Sequence, residues 1–417
     1  MKPRMAHCEA QRLREAFGSR VCSIDMAKDL EHKVTGLFGP DGISDVAADL
    51  LDVAAAVYRC ERLLPIAGST NRYTLFHLSL PLRKPQAWTD GAVACLAEAL
   101  EVLGNARWTF KFASASAPVP THEVAPKGKT KEHVMLFSGG LDSTCGVVVQ
   151  AKASDKILLN SYYTRQKTKQ SEIATALGYE DHVQWTLPPL NGPGRSFFYR
   201  SFYFLSLAAV LAQSWKIHRL TQFETGILAY AIPPSPWYAM TKHAHPKFLS
   251  VASRLYEQLF GDGPWIIENP FINLTKRQEV AAAGQCISAC MAKELFAKTE
   301  TCWSHWACHV HGVDKYPGVP CGVCIPCIIR RTALPSDRFH IDLRKRTYQN
   351  HEKLGQAFRS YLAFVESVLN CGSAEKFYTL LPSHVRQLVS NSVERRAVHR
   401  LFVRFGKEFM ETFFRRT

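Results

Sequence analysis

No stretch of this 417-residue chain is long and apolar enough to span a bilayer, because Arg, Lys or Gln interrupts each candidate run. The start, MKPRMAHCEA, lacks the apolar segment of a secretion signal. Together these absences argue against a membrane partner and lead us to expect a cytoplasmic protein. Acidic residues are in deficit, with 36 Asp and Glu against 51 Lys and Arg, giving a formal charge of +15. No internal repeat is visible. The cysteines, thirteen in a chain this large, do not suit a secreted disulfide scaffold. In a reducing compartment clustered cysteines hold metal, and scattered ones serve as small buried hydrophobes.

The positive excess is uneven. From Arg330 to Thr417 there are seventeen Lys or Arg against eight Asp or Glu, a net +9, whereas the first 125 residues hold fourteen of each. A basic tail of this kind suits an acidic protein partner, a polyphosphate or nucleic acid. Without interleaved aromatics the nucleic-acid reading is not favoured, and a solvated helical face is the plain alternative.

Hydrophobic residues make up 47% of the chain, enough for folded cores, and the length predicts two or three domains. Residues 1–112 read as a small α+β accessory domain. Ile43–Tyr58 is apolar at helical spacing, Tyr73–Ser79 alternates like a strand that Pro81 and Pro85 break, Ala92–Leu103 is helical, and Trp108–Phe112 is a second strand. Residues 113–132, rich in Ala, Ser, Pro and Lys, form the linker. Over 133–335 strand patterns (Val134–Phe137, Ile157–Leu159, Val183–Thr186, Leu220–Phe223) alternate with helices from about Asp142, near Ser171–Leu177 and at Ser201–Trp215. This is the pattern of an α/β domain, a parallel sheet with helices on both faces. Thr275 and Gln278 have the spacing of a capping box that opens another helix. Residues 336–417 read as a basic helical region.

Between the first of these strands and its helix lies Ser138-Gly139-Gly140-Leu141-Asp142-Ser143-Thr144. Two glycines let successive backbone N–H groups point at one anion, and the helix N-terminus adds its free donors and partial positive charge. The hydroxyls of Ser138, Ser143 and Thr144 supplement them, and Asp142 is placed to hold Mg²⁺ beside phosphates. No G-K-[ST] follows, so this is no Walker loop, and it is not G-x-G-x-x-G. A capped glycine turn is the non-functional alternative.

Cys321-Gly322-x-Cys324-x-Pro326-Cys327 presents three thiols at i, i+3 and i+6. Four thiolates around a turn make a closed structural zinc site. Cys302 lies upstream, and Cys308, His305, His309 and His311 compete with it as the fourth ligand.

The string SGGLDS resembles the signature of PP-loop ATP pyrophosphatases. That resemblance implies a PP-loop (HUP-like) fold that binds ATP with Mg²⁺, cleaves it between the α and β phosphates, and transfers AMP to a substrate. TETCW at Thr299–Trp303, CGVCIPC, and Arg330-Arg331 are similar to the C-terminal zinc motif of the QueC family, the 7-cyano-7-deazaguanine synthases. By that resemblance the Zn²⁺ ligands are Cys302, Cys321, Cys324 and Cys327. Arg200-Ser-Phe-Tyr-Phe-Leu-Ser-Leu-Ala resembles the family's R-N-x-x-F-L-x-x-A helix start, which would bring Arg200 toward the active site. Phe271-Ile-Asn-Leu-Thr-Lys276 resembles its P-[LF]-x-x-L-T-K segment, whose lysine contacts phosphate. The catalytic set implied is therefore Asp142, Arg200 and Lys276. His245-Pro246 falls where the family has Tyr-Pro, and His245 is read as structural.

The resemblance covers residues 133–335. The added N-terminal unit and tail resemble the layout of enlarged QueC-like proteins of bacterial anti-phage islands, such as QatC and homologues in CBASS operons. What this implies is adenylation of a 7-deazaguanine carboxylate followed by amide formation, with a protein partner from the same operon supplying the amine. Two other activities fit the same loop: nitrile synthesis with ammonia for queuosine, and tRNA modification. A scaffold that binds ATP without turnover is the non-enzymatic alternative.

Overall fold

The computed structural model describes residues 24, 29–36, 38–40, 42–63, 74–104, 106–114, 130–162, 167–188, 198–235, 238, 240–300, 302, 319–389 and 391–414. Its strands are β1 (Lys33–Thr35), β2 (Thr74–Leu82), β3 (Ala106–Ser114), β4 (His133–Leu136), β5 (Ile157–Tyr162), β6 (His182–Thr186), β7 (Arg219–Thr221) and β8 (Ile266–Glu268). Six of them form one sheet in the order β1-β6-β5-β4-β7-β8, parallel except for the edge strand β1, which runs antiparallel to β6.

The order explains where a ligand can sit. From the central β4 the chain moves outward through β5 and β6, then returns to pair β7 on the other flank of β4, followed by β8. Strand order thus reverses between β4 and β7. At such a reversal the connections leave in opposite directions and open a crevice at the carboxyl ends of the two strands.

The longer helices are α1 (Asp45–Leu63), α2 (Asp90–Leu103), α3 (Leu141–Val149), α4 (Lys167–Ala176), α5 (Arg200–Ser214), α6 (Pro246–Phe260), α7 (Lys276–Gly284), α8 (Ala289–Lys298), α9 (Ile325–Ala333), α10 (Gln356–Asn370), α11 (Ala374–Leu380) and α12 (Ser392–Phe414). Both faces of the sheet are covered, as the alternation of strand side chains requires. Val134, Leu158, Val183 and Leu220 enter one core with residues of α1, α5 and α6. Met135, Leu159 and Phe137 enter the opposite core with Cys145 of α3, Ile173 of α4 and Phe296 of α8. Each such side chain, fully buried, contributes about 1.5–3 kcal/mol.

Residues 1–112, expected as an accessory domain, have no core of their own among the described residues. β1 extends the central sheet, and one hydrophobic cluster runs from Leu30 through Val57, Phe76 and Trp108 to Tyr256 and Trp265. The expected break at Pro81 does not occur: β2 carries Pro81 within it, paired with Ala113 of β3. β2 and β3 pair only with each other among the described residues, so Pro81 can lie where no ladder N–H is needed. They run parallel, joined by α2 in a βαβ unit.

The tail is likewise integral. Val398, Leu401, Phe402, Phe405, Phe409 and Phe413 form the apolar stripe of α12, which packs on α10 and α11 and into a third core with Ile328 and Ile329 of α9. No helix of the described residues is long and apolar enough to cross a membrane.

Candidate functional site

The Ser138–Thr144 segment leaves the carboxyl end of β4 and enters α3, one wall of the crevice. Gly139 takes φ +74°, a conformation that favours glycine. The turn is held by its own hydroxyls. Ser143 Oγ accepts from the Ser138 N–H at 3.2 Å and donates to the Gly140 carbonyl at 3.1 Å, while Ser138 Oγ accepts from the Gly140 N–H at 3.2 Å. The Gln170 amide of α4 donates to the Ser138 carbonyl at 3.0 Å. Gly140 is the N-cap of α3 and supplies no side-chain acceptor, so no side chain of the cap residue covers the first N–H groups of that helix. Gly146, six residues further on, lets Phe223 approach: a Cβ there would meet the Phe223 ring at 2.3 Å.

The other walls come from the segments after β7 and β8. The chain beyond β7 brings Glu224 and Thr225, and Thr225 N–H donates to Asp142 Oδ1 at 3.1 Å and to Glu224 Oε1 at 3.1 Å. Beyond β8, Asn269 binds the Glu224 backbone both ways, its Nδ2 donating to the carbonyl at 2.8 Å and its Oδ1 accepting from the N–H at 3.2 Å. Then α7 opens at Thr275 with the expected capping box to Gln278. Its first residue, Lys276, bonds Asp142 directly, with Glu279 Oε1 at 3.8 Å and Glu224 Oε1 at 3.9 Å from its Nζ. One ammonium therefore stands among three carboxyl groups, all buried.

Their protonation follows from that arrangement. Burial works against the Asp142 charge, but the Lys276 ammonium outweighs it and holds the carboxyl at about 2. Burial, reinforced by the Asp142 charge, pushes Glu224 up to about 7. The same two causes push Glu279 well above the ordinary carboxylate range. Burial opposes the Lys276 charge, yet Asp142, Glu279 and Glu224 carry its pKa above the usual lysine value. On the more open side, His243 Nε2 lies 3.1 Å from Glu224 Oε2. Several polar atoms here are buried without a hydrogen-bond partner: both Glu279 oxygens, Thr144 Oγ1 and Thr225 Oγ1.

The tail helix braces this centre from behind. Glu408 of α12 accepts from the hydroxyl of the cap residue Thr275 at 2.8 Å, Arg404 donates to Gln278 at 2.7 Å, and Arg277 pairs with Glu411 at 2.6 Å. At Gly226 a Cβ would meet Leu401 at 2.4 Å and the Ile272 carbonyl at 2.0 Å.

Arg200 takes a different place from Asp142 and Lys276. It begins α5, whose N-terminus faces the carboxyl ends of the strands, and its guanidinium lies 5.6 Å over the Phe204 ring. Its ionisable neighbours include Tyr58, Glu61 and Tyr162. Glu61 of α1 accepts from the N–H groups of Phe198 and Tyr199 at 2.6 and 3.0 Å, so a carboxylate already serves the start of α5. His245 is a buried N-cap of α6, its Nδ1 accepting from the Lys247 N–H at 3.1 Å.

The cysteine cluster lies across the third core. Sγ atoms of Cys302, Cys321, Cys324 and Cys327 are all within 4.8 Å of one another, with 4.0 Å between Cys302 and Cys324 and 3.8 Å between Cys321 and Cys327. Four thiolates about 2.3 Å from a tetrahedral zinc stand about 3.8 Å apart, so the group could hold a metal ion and is compatible with zinc. Gly322, at φ +84°, makes the turn; a Cβ there would meet the Ile341 carbonyl at 2.0 Å. Cys308, His305, His309 and His311 lie outside the described residues. Arg330 anchors α9, which carries Cys327, to α8 through the Phe296 carbonyl and Thr299, and Arg331 stacks 3.9 Å over Phe339.

Glu224, Glu279, His243 and Glu408 escaped the sequence reading. A signal was available for two of them: Glu224 directly follows a strand pattern at its carboxyl end, and Glu279 lies one turn beyond Lys276. Neither a protein-family model nor a curated protein matches this chain.

Proposed function

We propose that this chain is an ATP-dependent enzyme of the PP-loop, QueC-like kind that adenylates a carboxylate and passes it to an amine. The observation that carries the reading is the meeting of SGGLDS with Lys276 at the strand-order reversal, where the loop and a helix N-terminus adjoin a buried ammonium. A carboxylate oxygen is a poor leaving group until it is bonded to AMP. Its oxygen attacks the α-phosphorus, the bond to the bridging oxygen breaks, and pyrophosphate departs with its charge neutralised by the loop N–H groups and Lys276. Mg²⁺, held by Asp142, would supply further charge neutralisation on the phosphates. Arg200, at the same edge of the sheet, contributes a second counter-charge.

The substrate implied by the resemblance is a 7-deazaguanine carboxylate. An amine then attacks the activated carbonyl and AMP leaves with the bonding pair, giving an amide. A partner polypeptide is the acceptor that the resemblance implies, in a defence setting. The Cys302, Cys321, Cys324 and Cys327 site holds Zn²⁺ in a structural role, since its thiols belong to a different core from the crevice. The test is ATP–pyrophosphate exchange with and without 7-deazaguanine carboxylate. Exchange that requires the carboxylate and vanishes in a folded Asp142→Ala variant is the expected outcome; exchange unchanged in that variant refutes the assignment.

A further inference from the structure

The exposed face of α12 is a basic stripe with apolar ends. Arg396, Arg400, Arg404 and Lys407 are all exposed and follow one another at four, four and three residues, so they share a side of the helix over about 16 Å. The like charges at 396, 400 and 404 oppose one another one turn apart, which weakens a helix instead of supporting it. A face that served solubility alone would alternate signs. Of the acids on this helix, Glu394 stands two residues before Arg396 and so on another side, Glu408 is buried against Thr275, and Glu411 pairs with Arg277. Val393 (66% exposed) and Phe414 (43%) continue the same side at its two ends. Leu380 of the adjoining α11 is 46% exposed, so three of the six exposed large hydrophobics among the described residues belong to this bundle.

We propose that this face docks an acidic, amphipathic helix of a partner protein, with carboxylates against the arginines and apolar side chains at Val393 and Phe414. Charge complementarity sets the sign of the partner. Apolar side chains at both ends of the stripe favour a polypeptide over a phosphate backbone, which has no use for an aliphatic contact. The location adds a reason: Arg404 also holds Gln278 in the first turn of α7, beside Lys276, so a partner seated here lies close to the crevice. This proposal extends the protein-acceptor reading and rests on it.

The experiment is fluorescence anisotropy with full-length protein and a labelled helical peptide of about 20 residues, bearing Glu at i, i+4, i+8 and Leu at both ends. A single-stranded RNA of equal charge is the comparison, and ATP–pyrophosphate exchange is measured in parallel. The expected result is salt-sensitive peptide binding that R396E/R400E weakens at least tenfold while exchange is unchanged. The same variant should in turn bind a peptide whose Glu residues are replaced by Lys. Equal peptide binding by wild type and variant overturns the proposal, as does RNA binding tighter than the peptide and lost in the variant. Absent exchange in both proteins, with peptide binding lost only in the variant, overturns the catalytic reading and leaves the docking face standing.

Discussion

Two buried polar centres among the described residues, the Cys324 cluster and the Lys276 cluster, are built on opposite plans. Around Cys324 four identical soft groups converge on one point, each at the distance the others need to share a single ion. Around Lys276 the groups differ in sign and strength, and they already satisfy one another in part. The thiol centre is closed and could hold one metal ion. The carboxylate centre keeps buried oxygen atoms without partners, a glutamate poised near neutrality and a histidine on its open side. Buried polar groups are nearly always paired, so these atoms set the carboxylate centre apart from the thiol centre. One centre holds the fold together; the other is held by the fold.

That contrast breaks most sharply on metal removal. Cys321→Ser should lose zinc and destabilise α9 together with α10 and α12, since the free energy of a structural zinc site, about 10 kcal/mol or more in small peptides, is folding energy. Metal analysis and thermal denaturation check this, with one zinc per chain expected in the wild type. Because α12 braces α7, exchange activity should fall with the same transition.

At the other centre a single cut should behave differently. Lys276→Met leaves Asp142 buried without its counter-charge and should cost about 3–5 kcal/mol. The double variant Asp142→Asn with Lys276→Met removes the pair and should recover most of that stability while exchange stays absent. Chemical denaturation of the three proteins distinguishes the two effects. A double variant as unstable as the single one would show that the pair is not what couples them.

The pH dependence should come from the same centre. Glu224 is raised to about 7 from the usual 4.5, so the native state binds its proton more tightly than the unfolded chain. Its contribution is present in full below about 4.5 and is lost as pH rises through 7, on the order of 2–3 kcal/mol over the window. Asp142 has the opposite sign, since its carboxyl lies below the unfolded value, and its contribution is lost only as pH falls from about 4 toward 2. Melting temperature between pH 5 and 8 should therefore drop in the wild type and stay flatter in Glu224→Gln. The smallest effect expected is at the cap: Thr275→Ala should cost about 1 kcal/mol and lower exchange partly, read by denaturation and by initial rates.

Much of this was legible beforehand where one short segment carries the whole signal. SGGLDS between strand and helix, the Thr275–Gln278 capping box and the Cys321–Cys327 knuckle are local patterns, and each lies where its spacing indicates. Strands β1 and β8 went unread; each is three residues long and is defined by pairing with a neighbouring strand. The acids of the Lys276 cluster were hidden for another reason. Glu224, Glu279 and Asp142 come from segments far apart in sequence, and an acid at the end of a strand looks like any surface residue until the fold buries it. Composition marks a linker after the N-terminal unit, while the described residues of that unit share a core with α5 and α6, which lie beyond that linker.

The most direct test of the central claim is binding without chemistry. Isothermal titration of pyrophosphate with Mg²⁺ into the folded wild-type protein should give one saturable site, which Lys276→Ala weakens about 10²-fold or more by removing a buried counter-charge and Cys286→Ser leaves unchanged. Binding of equal strength in wild type and Lys276→Ala would place the phosphates elsewhere and contradict the account.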